Sequence, residues 1–341
     1  LKLVTILGTR PEAIKLSETL KQCDIFFEHI IVHTGQNFNY ELSQIFFEEL
    51  DIRNPDHFLK IREGDLGDRI GLIISKTFKL LVKEKPDAVL ILGDTNSGLS
   101  SISCKRLKIP VFHLEAGNRC FDENLPEEIN RRVIDHTSDI NIAYSEHARR
   151  NLISEGVPKD RIFVVGSPMS EILDIHKSKI NNNQIIRSLK IQNGNYFVLS
   201  MHREENIDNK ETFIKIIYSI NQLSSKYKIP IIFGAHPRTQ KRITELDIEF
   251  NKNVFIKKPF GFFDYMKLQV NSACVISDSG TLAEESSILG FNAVSLRTST
   301  ERPEVIDSGS MSISHLTSDS LIQSVNLAMS ISNNSNIRVV P

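Results

Sequence analysis

Residues 1–16 read LKLVTILGTRPEAIKL. The apolar run 1–7 stops at Gly8. Pro11 then stands where the first turn of a helix would be, a place where its missing N–H costs nothing. An unbroken apolar run handed through a glycine turn to a helix is the unit of a parallel sheet covered on both faces. The unit recurs. HIIVHTG (29–35) leads to a helix near 41–49, AVLILGD (88–94) to one near 97–107, and IPVFHLE (109–115) to one from Pro126. INIAY (140–144) precedes a helix near 146–154, and RIFVVGS (161–167) one near 168–178. A polar, Asn-rich stretch follows, KSKINNNQIIRSLKIQNGN (177–195). The alternation then restarts with YFVLS (196–200), IPIIFGAH (229–236), NVFIK (253–257), ACVISDS (273–279) and AVSLRTS (293–299). This pattern predicts an α/β chain of two doubly wound, Rossmann-like domains, 1–176 and 190–341. A linker is expected at 177–189, with a ligand cleft between the domains.

Composition narrows the partners. The 341 residues are 40% hydrophobic, enough for two ordinary cores. A net charge of −1 provides no global field to recruit nucleic acid or an anionic membrane, so any anion site is local. The four cysteines, Cys23, Cys104, Cys120 and Cys274, show no metal-ligand spacing and suit reduced thiols in a cytoplasmic protein. No apolar run approaches the ~18 residues of a membrane span. LKLVTIL reads as a strand and lacks the features of a signal peptide. Because the chain opens at Leu1 rather than Met, the natural start is expected upstream.

Three strings at strand ends concentrate Gly, Ser, Arg and carboxylates: GTRPEAIKL (8–16), HLEAG (113–117) and SDSGTLAEE (277–285). Ligands of open α/β sheets bind at the carboxyl ends of strands. No GxGxxG and no GxxxxGKS occurs, so dinucleotide and Walker-type sites lack support. Gly8 and Arg10 at a helix start suit a phosphate, although an ordinary turn with a solvated arginine reads equally well. Lys15 one turn later reads as a solvated helix lysine or a ligand contact. Asp94 ends a strand and could merely cap the next helix. Glu115 ends a buried strand, where a carboxylate is expensive unless paired or used, so function is favoured there. Glu127 and Glu128 suit the positive end of a helix and make i,i+4 pairs with Arg131 and Arg132. His202, after YFVLS, fits an acid or base, a phosphate donor or a cap. Ser279 and Gly280 open a helix running through Glu285, either an anion site or a routine cap. No HExxH, EF-hand or Cys/His cluster is present, and no metal is expected.

Eight strings stand in one order: GTRPEAIKL, GDTNS (93–97), HLEAG, PEEINRR (126–132), HREEN (202–206), PFGFFDY (259–265), SDSGTLAEE and RTSTERPE (297–304). Together they resemble the non-hydrolysing UDP-N-acetylglucosamine 2-epimerases, essentially end to end. The resemblance implies a glycosyltransferase-B architecture, with UDP held mainly by the C-terminal domain and the active site in the interdomain cleft. It implies elimination of UDP across carbons 1 and 2 to a glycal, then re-addition with a proton delivered to the opposite face. No cofactor is needed. Asp94, Glu115 and Glu127 would be the acid/base carboxylates, in an order the sequence leaves open, supported by Lys15 and His202. Arg10, His202, Ser279 and Gly280 would contact the phosphates, Glu285 the ribose and Phe260 the uracil. His236 and Arg302 would complete the UDP-sugar-binding set.

The resemblance further implies a cytoplasmic homodimer serving surface polysaccharide synthesis. Two departures, NRCFDENL (118–125) and AHPRTQKR (235–242), look like the branch that forms UDP-N-acetyl-L-fucosamine. Some members bind UDP-N-acetylglucosamine as an activator, and Gln36, Arg69 and His236 fall near the corresponding regions. The chain ends at Pro341, and the rest of a C-terminal helix is expected beyond it. Rival readings are a glycosyltransferase of the same fold, a hydrolysing epimerase and a catalytically silent UDP-sugar sensor.

Overall fold

The computed structural model describes residues 1–35, 44–61, 64–123, 125–297 and 311–332. They form two compact units, Leu1–Ile172 and Leu173–Pro341.

The first unit is built on seven parallel strands: β1 (Lys2–Leu7), β2 (Glu28–His33), β3 (His57–Phe58), β4 (Ala88–Leu92), β5 (Val111–Leu114), β6 (Ile140–Ala143) and β7 (Ile162–Val164). They lie in the order β3-β2-β1-β4-β5-β6-β7. Val4 of β1 pairs with Ile30 on one side and Val89 on the other. Val4, Ile6, Val32, Val89, Ile91 and Val111 are buried with Leu99 and Ile134 from the covering helices. The unbroken apolar runs are therefore explained by helices on both faces.

The second unit has six parallel strands: β8 (Phe197–Ser200), β9 (Ile231–Gly234), β10 (Val254–Lys257), β11 (Cys274–Ser277), β12 (Ala293–Ser295) and β13 (Ser312–Ile313). Their order is β10-β9-β8-β11-β12-β13. Both sheets reverse their winding once, between β1 and β4 and between β8 and β11. Such switch points open a crevice at the strand ends.

Eleven strands fall where the apolar runs place them. The two others, β3 and β13, are two-residue edge strands too short to show a pattern. The helix Leu66–Glu84 was not among the expected elements. It opens on a reciprocal cap between Asp65 and Asp68. The stretch read as a linker, 177–189, holds two short helices, Lys177–Asn182 and Ile185–Ser188. Ile185, Ile186 and Leu189 pack against the second core, and Asn183 donates to Asp264 at 2.7 Å. The compact units divide between Ile172 and Leu173, ahead of that stretch. Apolar residues scattered among Asn and Lys give the segment a face to bury, which its polar composition hides. No helix of the described residues is long and apolar enough to cross a membrane.

Candidate active site

Three turns meet at the carboxyl ends of β1, β4 and β5. After β1, Gly8 and Thr9 enter the helix Arg10–Phe26, with Pro11 in its first turn. Glu12 on that helix is buried. Its carboxylate accepts from the Gly8 N–H at 3.0 Å, the Thr9 hydroxyl at 2.7 Å and the Thr95 hydroxyl at 3.1 Å. It thereby ties the turn after β1 to the turn after β4. Burial pushes its carboxyl up to about 7, against the pull of Thr9, Gly8 and Thr95.

One turn on, buried Lys15 reaches Glu115 at 2.7 Å and lies 5.7 Å from the centre of the Tyr144 ring. Glu115 has φ +67°, a left-handed conformation costing ~1–2 kcal/mol for a residue with a Cβ. Strain of that kind collects at functional sites. Two residues later Gly117 has φ +83°, and a Cβ there would stand 2.4 Å from the Ala148 carbonyl oxygen. Gly117→Ala is expected to lower stability by about 2–3 kcal/mol through strain and overpacking, measured as the shift in thermal unfolding.

Asp94 follows Gly93 at the end of β4. The helix Pro126–Thr137 turns Glu128, Arg131 and Asp135 to one buried face. Arg131 grips Asp94 with two donors, Nε at 2.8 Å and Nη2 at 2.7 Å, and reaches Glu128 with Nη1 at 3.0 Å. Asn130 adds a bond of 2.9 Å to the Asp94 carbonyl. Glu128 also accepts from the Cys120 N–H at 3.1 Å and the Phe121 N–H at 3.3 Å. Burial opposes its charge, but Cys120 and Arg131 outweigh it and lower its pKa.

In the second unit Asp278, wholly buried, organises the ends of β8 and β11. It accepts from the backbone N–H of His202 at 3.1 Å, that of Arg203 at 3.0 Å and the Asn206 amide at 3.1 Å. His202 Nδ1 lies 3.1 Å from Asp278 Oδ1, off the line of a hydrogen bond. Burial works against the charge on Asp278, yet His202, Arg203 and Asn206 together draw its carboxyl down to about 2. The folded state thus favours the ionised form. The stability this gives is present above the unfolded pKa near 4 and is lost as pH falls toward 2. Between pH 5 and pH 2 the wild type is expected to lose about 2 kcal/mol more than Asp278→Asn, measured by denaturant unfolding at each pH.

His236 follows β9, and its Nδ1 accepts from the Arg238 N–H at 3.2 Å. Its ring centre is 6.5 Å from that of His202. Phe260 packs on Gly234, where a Cβ would come within 3.2 Å of the ring. Ser279 Oγ and Thr281 Oγ1 are 3.0 Å apart at the start of the helix Leu282–Leu289. Further along, Glu285 accepts from Gln269 at 2.8 Å.

Residues 20–338 match the family described as UDP-N-acetylglucosamine 2-epimerase. The chain belongs to that family. Its members are isomerases. The chain is 44% identical to the UDP-N-acetylglucosamine 2-epimerase of Rickettsia bellii, with all of this chain and 91% of that one covered and a TM-score of 0.92. It is 37% identical to the Methanocaldococcus jannaschii UDP-GlcNAc 2-epimerase solved in complex with UDP-GlcNAc and UDP, covering 96% and 93% of the two chains with a TM-score of 0.92. It is also 32% identical to the UDP-2,3-diacetamido-2,3-dideoxy-D-glucuronate 2-epimerase of Pseudomonas aeruginosa, with 96% and 92% covered.

In this 2-epimerase family member Lys15 pairs with Glu115 and Arg131 with Asp94, and Glu127 stands half-buried on the first turn of the helix that carries Arg131. Arg10 lies over the Phe46 ring at 5.6 Å. Arg131 contacts Asp94 and Glu128 directly. Arg132 approaches Glu128 at 3.6 Å, as the i,i+4 spacing predicts. Arg302 and Gln36 lie outside the described residues, with most of RTSTERPE. Glu12 escaped the sequence reading. Its signal was Thr9-x-x-Glu12, the spacing by which a carboxylate reaches back over a helix start.

Proposed function

We propose that the chain inverts carbon 2 of a UDP-linked 2-acetamido sugar, with UDP-N-acetylglucosamine as the primary substrate and UDP-N-acetylmannosamine as the product. One observation carries this reading. Asp94 and Glu115 leave neighbouring strand ends, each held by its own cation, Arg131 or Lys15, at 2.7 Å. Acid/base work on a carbon needs carboxylates fixed in just this way. One carboxylate takes the proton from carbon 2, and the bond from carbon 1 to the diphosphate oxygen breaks with its electron pair leaving on UDP. The glycal then takes a proton at carbon 2 on the opposite face as the UDP oxygen bonds carbon 1 again. Asp94, Glu115 and Glu127 share these proton transfers, with Lys15 and His202 as electrostatic support. Arg10, His202, Ser279 and Gly280 stabilise the departing diphosphate. Glu285 serves the ribose, Phe260 the uracil, and His236 and Arg302 the remaining UDP contacts.

The relatives support carbon 2 as the reacting centre, since three with different organisms all bear the name 2-epimerase. The departures at 118–125 and 235–242 favour a second reading, in which the sugar is 2-acetamido-2,6-dideoxy-L-talose and the product UDP-N-acetyl-L-fucosamine. In either case the protein works in the cytoplasm as a homodimer and feeds surface polysaccharide synthesis. Separate incubations with UDP-N-acetylglucosamine and with the 6-deoxy-talose sugar nucleotide, resolved by chromatography, test the reading. Conversion of the first to UDP-N-acetylmannosamine is expected. Conversion of the second alone establishes the other branch, and conversion of neither overturns both.

A further inference from the structure

The turns that carry Asp94 and Glu115 are joined by a third element that no acid/base role uses. His113, inside β5, is buried, and each of its ring nitrogens lies within hydrogen-bond distance of an oxygen. Nε2 lies 2.8 Å from the Gly93 carbonyl oxygen, and Nδ1 lies 2.9 Å from Asp135 Oδ1. Asp135, also buried, accepts from the Gly117 N–H through both oxygens, at 3.3 and 3.2 Å. Its Oδ2 meets Arg119 at 2.7 Å, and Arg119 in turn holds Glu155 at 2.6 Å. Gly93 is the residue before Asp94, and Gly117 is the second after Glu115. Both glycines have positive φ, 72° and 83°.

A hydrogen-bonded bridge therefore runs from Asp94's own turn, through the imidazole and a carboxylate, to the turn that holds Glu115 in its left-handed conformation. We propose that His113 and Asp135 are positioning residues for the epimerisation, fixing the spacing of the Asp94 and Glu115 carboxylates by clamping the two turns to each other. The inference rests on the proposed carbon 2 chemistry. An imidazole is suited to the task because its two ring nitrogens sit on a rigid ring and reach two partners at a fixed separation, whereas the donors of an amide side chain share one nitrogen. Displacement of a reacting group by about 1 Å costs on the order of 10²-fold in rate. The bridge lies wholly within the first unit, so its loss is expected to fall on turnover rather than on the affinity for UDP.

The test is steady-state kinetics of His113→Gln and Asp135→Asn with UDP-N-acetylglucosamine, beside UDP binding and thermal unfolding of each variant. Expected is a fall in kcat of about 10- to 10²-fold with KM and the Kd for UDP within threefold of wild type. A second comparison separates positioning from general destabilisation. If His113 acts through the carboxylates, His113→Gln costs much less in a Glu115→Gln background than in the wild type. A folded His113→Gln or Asp135→Asn variant with kcat within twofold of wild type overturns the inference, as does a full additive loss in the double variant. A wild type that turns over no sugar nucleotide overturns the proposed activity and this inference together, which distinguishes the two failures.

Discussion

Glu115→Gln is expected to lower turnover of UDP-N-acetylglucosamine by at least ~10² while leaving the affinity for UDP intact. Glutamine keeps the shape of the side chain and removes its ability to take or give the proton. It also leaves Lys15 beside a neutral amide instead of a carboxylate 2.7 Å away. Glutamine meets the left-handed backbone at position 115 with the same Cβ as glutamate, so the loss is expected to report chemistry rather than a shifted turn. Asp94→Asn tests the second carboxylate in the same way. The measurement is kcat with UDP binding by calorimetry. Near-normal turnover in both variants removes the pair from the mechanism.

Arg131→Met is expected to be the most destabilising single change, at about 3–5 kcal/mol, because it strands charge that the fold has buried. Arg131 is 3% exposed and Glu128 1%. The guanidinium holds Asp94 with two donors and Glu128 with a third. Methionine fills much of the volume but satisfies neither carboxylate. Glu128 keeps its Cys120 and Phe121 N–H partners and Arg132 at 3.6 Å but loses its buried cation, and Asp94 loses both of its guanidinium donors. Arg131→Lys restores charge without the fork, since one ammonium cannot make both contacts in the same geometry. Thermal unfolding of the three proteins therefore ranks wild type, Lys, Met. A Met variant within 1 kcal/mol of wild type would show that Arg131 is dispensable to the fold.

The strands were legible because parallel strands buried on both faces must be unbroken apolar runs, and residues 1–7, 88–94 and 109–115 are such runs. Edge strands escape this reading: β3 and β13 bury little and span two residues each. The helix Leu66–Glu84 was missed because no long apolar strand precedes it to mark the alternation. The candidate carboxylates Asp94 and Glu115 were legible from position alone, at the ends of buried strands. Their partners were not. Lys15 and Glu115 are 100 residues apart, and Arg131 and Asp94 are 37 apart. Local spacing pointed Arg131 only toward Glu127, and it gave no sign that the three-donor fork also holds Asp94 and Glu128. His113 reads as one more buried strand residue until Gly93 and Asp135 are seen on either side of it.

Proton exchange at carbon 2 tests the central claim most directly. The protein is incubated with UDP-N-acetylglucosamine in deuterated water, and carbon 2 is followed by proton NMR. Acid/base inversion through a glycal predicts loss of the carbon 2 proton signal to deuterium as a UDP-N-acetylmannosamine signal grows. Formation of that product with the carbon 2 proton retained, or no exchange in protein shown to bind UDP-N-acetylglucosamine, would contradict the account.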